Sequence, residues 1–132
     1  MTIWINKSLL IEALKELSDR TYQHDIWANR NNPNGWVSSY IEASCNVFDD
    51  ALVADALEEG AIIFDKNVTN ALQELDQITD KIDGYRDILD IINDPKMELV
   101  RQKSTEILQL IAVSDLSQNT VEFIELGQSV GD

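Results

Sequence analysis

Residues 65–95 read DKNVTNALQELDQITDKIDGYRDILDIINDP, and this stretch decides the fold class. Val68, Ala71, Leu75, Ile78, Ile82, Tyr85, Leu89 and Ile92 follow a three-four alternation. Such a pattern is the a/d seam of an amphipathic helix. It stays in register across Gly84, although a glycine inside a helix costs about 1 kcal/mol relative to alanine. Two readings compete: one helix near 66–93, or two helices separated at Asp83-Gly84. The preserved register favours the continuous helix, because the broken reading makes that register a coincidence.

The same stretch carries Asp76, Asp80, Asp83, Asp87, Asp90 and Asp94 at alternating spacings of four and three. With Leu75 at a, Asp76, Asp83 and Asp90 fall at b, and Asp80, Asp87 and Asp94 fall at f. A continuous helix therefore gathers them into an acidic ridge facing away from the seam. Each like-charge neighbour costs a helix roughly 0.2–0.5 kcal/mol. Arg86 is the one base expected to reach the ridge, through Asp83 and Asp90. The ridge is either a solvated outer face or a docking face for something basic.

Outward from this stretch the chain continues to read as helix. Asp94-Pro95 supplies an N-cap and an N1 proline for a helix near 95–112, lined by Met97, Val100, Ile107, Leu108 and Ile111. Lys96, Arg101 and Lys103 cluster on it, which places an acidic element beside it. Upstream, Asn6 is a candidate N-cap for a helix with the stripe Leu10, Ala13, Leu14 and Leu17. Asn29 to Gly35 is a loop, and a helix near Val37–Phe48 follows it. Asp49 or Asp50 is expected to cap a short helix that Gly60 ends. Ala61 to Phe64 reads as a buried connector or a strand without a partner. Val121, Phe123, Ile124 and Leu126 read as a last short helix or a strand, with the helix favoured. The expectation is an all-α fold of one domain, residues 1–132. It is an irregular bundle of about five or six helices, with the 66–93 and 95–112 helices antiparallel.

Charge narrows the function classes. Ten basic against 24 acidic residues give a formal net charge of −14. That exceeds the magnitude of about 2–8 usual for a small soluble domain. Direct binding to nucleic acid or to an anionic membrane needs clustered Lys and Arg, so neither is expected. No charged-then-apolar leader and no run of about 18 apolar residues is present, so the expected location is cytoplasmic. A second acidic cluster, Asp49, Asp50, Asp55, Glu58 and Glu59, lies in a stretch without a base. Charge spread in this way suits long-range steering of a basic partner.

No catalytic constellation is present. Cys45 and His24 are each the single residue of their type. Ser38-Ser39 does not sit in a nucleophile elbow, and the glycines are too scattered to cradle a phosphate. Cys45 reads as a small core residue on an apolar helix face. Ridge carboxylates one turn apart are able to share a hard cation. The spacing of a calcium loop is absent, however, and so are the Glu-x-x-His pairs of di-metal bundles. No metal, cofactor or enzymatic role is expected. Trp27 and Trp36 flank the polar loop at 29–35, where exposed tryptophans act as binding hot spots and buried ones as core.

In size, acidity, helical content and lack of catalytic groups the chain resembles the small immunity proteins of bacterial toxin–immunity systems. The resemblance is one of class and rests on no motif. It implies an inhibitor that binds and neutralises a positively charged partner such as a toxin. Nucleic-acid mimicry and a homo-oligomeric helical module are the alternatives. The candidate partner-binding residues are the six ridge aspartates, the second acidic cluster, Trp27 and Trp36.

Overall fold

Asn6 starts the first helix. In the computed structural model, which describes residues 3–28 and 39–124, the Leu9 amide donates to Asn6 Oδ1 at 3.2 Å. Helix α1 spans Lys7–Ser18 and buries Leu10, Ala13, Leu14 and Leu17 completely. Asp19 ends it and caps α2, Arg20–Tyr22, by accepting from the Tyr22 amide. The chain then widens into a π-helical stretch, Gln23–Ala28. Gln23 is fully buried there, and its Nε2 donates to the carbonyls of Glu16 and Leu17. It thereby satisfies end-of-helix acceptors that α1 leaves open.

Helix α3, Tyr40–Cys45, is capped by Ser39, whose Oγ accepts from the Glu42 amide. The start expected at Val37 lies outside the described residues. The helix runs on as a second π-helical stretch, Asn46–Asp50. Neither Asp49 nor Asp50 caps the next helix. The amides of Ala51 and Leu52 turn back to the carbonyls of Asn46 and Asp49, and Leu52 takes a left-handed φ of 71°. Helix α4, Val53–Glu58, therefore starts from Leu52 with no side-chain cap. Gly60, at φ 76°, ends it as the sequence predicts.

Helix α5 begins at the expected cap, Asp65, and spans Lys66–Asp80. There the long helix stops. The segment from 81 to 87 is a turn, followed by the short α6, Ile88–Ile92, and then α7, Pro95–Ala112. Three features accompany the end of the helix, two of them local. The amides of Lys81 and Ile82 bond three residues back, to Ile78 and Thr79, which tightens the last turn. Asp83 Oδ1 accepts from the Tyr85 amide, a side-chain turn that competes with helix. Side chains of α3 press on Gly84, where an added Cβ would lie 2.7 Å from Ile41 Cγ1. The heptad seam accordingly fails at Tyr85, 89% exposed, and Leu89, 47% exposed, while Ile92 is buried through α6.

The antiparallel pairing of α5 and α7 is as expected. Asp65, at the start of α5, accepts from the amide of Asp115, just beyond α7. Farther along, Lys103 Nζ of α7 donates to Glu74 of α5 at 3.0 Å and to Glu106 of its own helix at 2.9 Å. Arg101 is buried. Its Nη1 donates to Gln23 Oε1 and to the Ile92 carbonyl, and its Nε donates to Glu98. One guanidinium thus ties α7 to the first π-helical stretch and to the end of α6.

The segment near Val121 is not a helix. A short 3-10 turn, Leu116–Gln118, leads into β2, Glu122–Ile124, which pairs in parallel with β1, Trp4–Asn6. Leu126 lies outside the described residues. Side chains of the 118–120 segment hold it extended along the 62–66 connector. Thr120, Asn119 and Gln118 accept from the amides of Ile62, Phe64 and Lys66. Phe64, at φ 64°, is buried against Phe123 with ring centroids 4.6 Å apart. These non-local bonds and ring contacts outweigh the helical reading of the patch. The small sheet apart, the architecture is the all-α bundle expected, and one hydrophobic cluster runs through it from Ile5 to Val121.

Candidate binding groove

The break after Asp80 leaves a groove beside the end of α5. Helix α3 and the π-helical stretch after it form one wall of a groove of about 340 Å³. The end of α5 and the turn through Tyr85 form the other. Tyr40 fixes the two walls together, because its hydroxyl donates to the Thr79 carbonyl at 2.9 Å. Burial pushes the Tyr40 hydroxyl well above the usual range, with Asp80 and then Cys45 adding to the effect. Gly84 lets the turn lie against Tyr40 and Ile41. The apolar lining comes from Ile41, Phe48, Ala54 and Ile82, with the ring of Tyr85 exposed.

Three carboxylates share this groove: Asp49 from the π-helical stretch, and Asp76 and Asp80 from α5. Asp76 is half-buried and its carboxyl is raised above the ordinary range. Burial is the largest cause, followed by the charges of Asp80 and then Asp49. No described Lys or Arg forms an ion pair with any of the three. Cys45 is half-buried in the wall, not in the core as the sequence suggests. Burial first, then Asp49 and Asp50, raise its thiol, which keeps it protonated and a poor nucleophile.

The six aspartates do not form a ridge. Asp76 and Asp80 face the groove. Asp83 closes the turn, Asp87 caps α6 through the Leu89 amide, and Asp94 caps α7 through the Lys96 amide. Their three-four spacing arises partly from caps placed at the starts of the successive helices α6 and α7. Asp90 is exposed on α6. Arg86 bonds Asp94 at 2.7 Å and the Asp83 backbone carbonyl, not the Asp83 and Asp90 carboxylates. The Lys96 amide bond, followed by the Arg86 guanidinium, holds the Asp94 carboxyl below its usual range.

The second acidic cluster divides as well. Asp49 joins the groove, and Glu58 borders an adjoining depression with Asp76, Leu57 and Gln77. Asp50, Asp55 and Glu59 are exposed and line neither surface. Trp27 is buried, edge-on to Tyr40 with ring centroids 6.4 Å apart, so it belongs to the core and offers no binding face. Trp36 lies outside the described residues.

A second cleft, about 570 Å³, runs along α7 past Arg20, Glu98 and Arg101. Its cations are already engaged: Arg101 holds Glu98, and Arg20 donates to Asn93 at 2.7 Å. The groove at Asp76 differs from this cleft in that no described Lys or Arg lines it. Among the described residues no group of three His, Cys, Asp or Glu is arranged to hold a metal ion. None of the described helices is long and apolar enough to cross a membrane.

The sequence signals missed here are tertiary ones. Tyr40, Ile41 and Tyr85 enter the site only because α3 packs on the end of α5. The one local hint is Asp83-Gly84-Tyr85, an Asx-turn sequence in the middle of an otherwise helical pattern. Comparison with protein-family models, with curated proteins and with solved structures finds no match to this chain.

Proposed function

We propose that this protein is an acidic binding protein that captures a basic protein partner at the Asp49–Asp76–Asp80 groove. The reading extends to a cytosolic inhibitor of the immunity-protein type, whose partner is a positively charged toxin. The observation that carries it is the convergence of three carboxylates from two elements on one groove with no described cation paired to them. Like charges held together at a half-buried site are unfavourable in the free protein. A partner cation relieves that repulsion, so the unfavourable charge becomes a source of affinity. The surrounding negative field speeds encounter with a basic surface.

Nucleic-acid mimicry fits less well. It needs a regular carboxylate ladder over a long surface, and the turn at 81–87 interrupts the ladder at its middle.

Affinity capture from the source cell, followed by a salt titration, tests the proposal. The expected result is one basic protein, bound one-to-one and released progressively as salt rises. Co-expression then measures whether this chain suppresses that protein's toxicity. Self-association with no hetero-partner, or competition with DNA for many unrelated DNA-binding proteins, overturns the reading.

A further inference from the structure

We infer that the 115–124 segment is an exchangeable strap and that the partner it fits is a second copy of this chain, so that two molecules trade straps and form a strand-swapped dimer. The inference goes beyond the binding reading above and does not depend on it.

The strap follows α7 across a short hinge. Helix α7 ends at Ala112 and Asp115 already caps the 3-10 turn, so Val113 and Ser114 alone join the two. Beyond the hinge the strap is partly folded on itself. The Ser117 amide and hydroxyl donate to Asp115 Oδ1, and Asn119 Nδ2 donates to the Val121 carbonyl. Those bonds travel with it.

The bonds that dock the strap reach distant parts of the chain. The Asp115 amide donates to Asp65 Oδ2, and Gln118, Asn119 and Thr120 accept from the amides of Lys66, Phe64 and Ile62, partners 50–58 positions away. The Glu122 amide donates to the Ile3 carbonyl as β2 joins β1, and Phe123 covers Phe64. A second copy presents every one of these groups in the same geometry. The closed monomer and the swapped dimer therefore share one interface, and they differ at the hinge and in the entropy of association.

The strap also opens more readily than the bundle. Val121 is its one buried residue, whereas Asp115 to Gln118, Thr120 and Glu122 are exposed. A segment with few buried contacts and exposed hydrogen bonds opens locally, below the free energy of global unfolding. Opening strips the side-chain partners from three connector amides and uncovers Phe64, which is 2% exposed when the strap is docked. The vacated slot is refilled by its own strap or by the identical strap of a neighbour, and a short hinge favours the neighbour.

The test traps the exchange by disulfide in the full chain carrying C45A. Trp4 and Glu122 are Cα partners across the parallel pair, and neighbouring strands lie at a spacing that a disulfide spans. W4C and E122C chains are mixed at high concentration, opened briefly in urea, returned to buffer and oxidised. A W4C–E122C heterodimer is expected, and W4C mixed with Q102C, whose cysteine lies on the cleft side of α7, should give none above background. W4C/E122C in one dilute chain should instead close an internal disulfide, which verifies the register. Deleting Val113 and Ser114 should raise the dimer fraction in size-exclusion chromatography about tenfold or more, as a hinge too short to fold back implies. The inference is overturned if the internal disulfide forms but the mixed chains never cross-link above the Q102C control. A wild-type chain that stays monomeric at every concentration also overturns it. Capture of a basic partner is measured on the monomer, so the two proposals fail separately.

Discussion

Gly84 lies so close to Ile41 that a Cβ built on it would sit 2.7 Å from Ile41 Cγ1 and 3.1 Å from Tyr40 Cδ2. This approach joins the turn at 82–85 to α3 and shapes one end of the groove. Replacing Gly84 by alanine forces a side chain of α3 to shift. Overpacking of this kind costs about 1–3 kcal/mol. Ile41→Ala removes the obstructing Cγ1, so G84A should cost less in the I41A background. Urea unfolding of the two single variants and the double variant gives this coupling directly.

Asp76→Asn should stabilise the free protein while weakening partner binding. Asp76 and Asp80 are like charges one helical turn apart, worth roughly 0.2–0.5 kcal/mol of repulsion. Asp76 is raised from its ordinary value of 3.8 by burial first, then by Asp80 and Asp49. Between 3.8 and its higher folded value, the native state holds more protons than the unfolded chain. Native stability therefore falls as pH rises through that window. The advantage of the asparagine variant should be absent below the window, grow through it and stay constant above. Thermal melts across acid and neutral pH measure it.

Asp94 behaves with the opposite sign. The Lys96 amide and the Arg86 guanidinium lower its carboxyl, so its stabilising contribution is present above its unfolded value. It is lost as pH falls through the lower folded value. D94N should therefore destabilise the protein at neutral pH, and the difference from wild type should vanish in strong acid. Paired acid-unfolding curves detect the convergence.

Arg101→Met keeps a long side chain but removes three donated bonds, leaving the Ile92 carbonyl and Gln23 Oε1 without them. Removing one partner of a buried charged network costs about 3–5 kcal/mol. Glu98 is half open to water, so the lower end is expected. A drop in the urea midpoint at unchanged slope is the expected readout.

Asp65→Ala removes two bonds with one substitution: the cap to the Val68 amide at 2.9 Å and the bond from the Asp115 amide at 3.0 Å. Losing a cap costs about 1–2 kcal/mol. Hydrogen exchange should also accelerate in the 115–121 segment, which Asp65 helps hold against the bundle. Loss of the cap alone would leave exchange there unchanged.

The helix starts were legible because their causes are local. Asn6, Asp65 and Asp94 cap the helices they were expected to cap, and Gly60 ends one, all through bonds to residues two to four positions away. The apolar stripe Leu10, Ala13, Leu14 and Leu17 predicted a buried face in the same way. The site was less legible. Asp49 and Asp76 were read as parts of separate acidic clusters, and nothing local links two residues so far apart in the chain. Periodicity also misled at Tyr85 and Leu89, whose seam positions are exposed because the helix ends before them.

By itself, then, the sequence determined the helical class, the caps, the core stripes and the strong negative charge, since these depend on residue type and short-range spacing. Tertiary structure decided three further features. Packing of α3 on Gly84 helped break the long helix, because local propensity there was nearly balanced. Pairing of Trp4–Asn6 with Glu122–Ile124 made the last apolar patch a strand, because its partners lie at the other end of the chain. Convergence of Asp49 with Asp76 and Asp80 made a groove of what had looked like a ridge, because only the packing of distant elements brings their charges together.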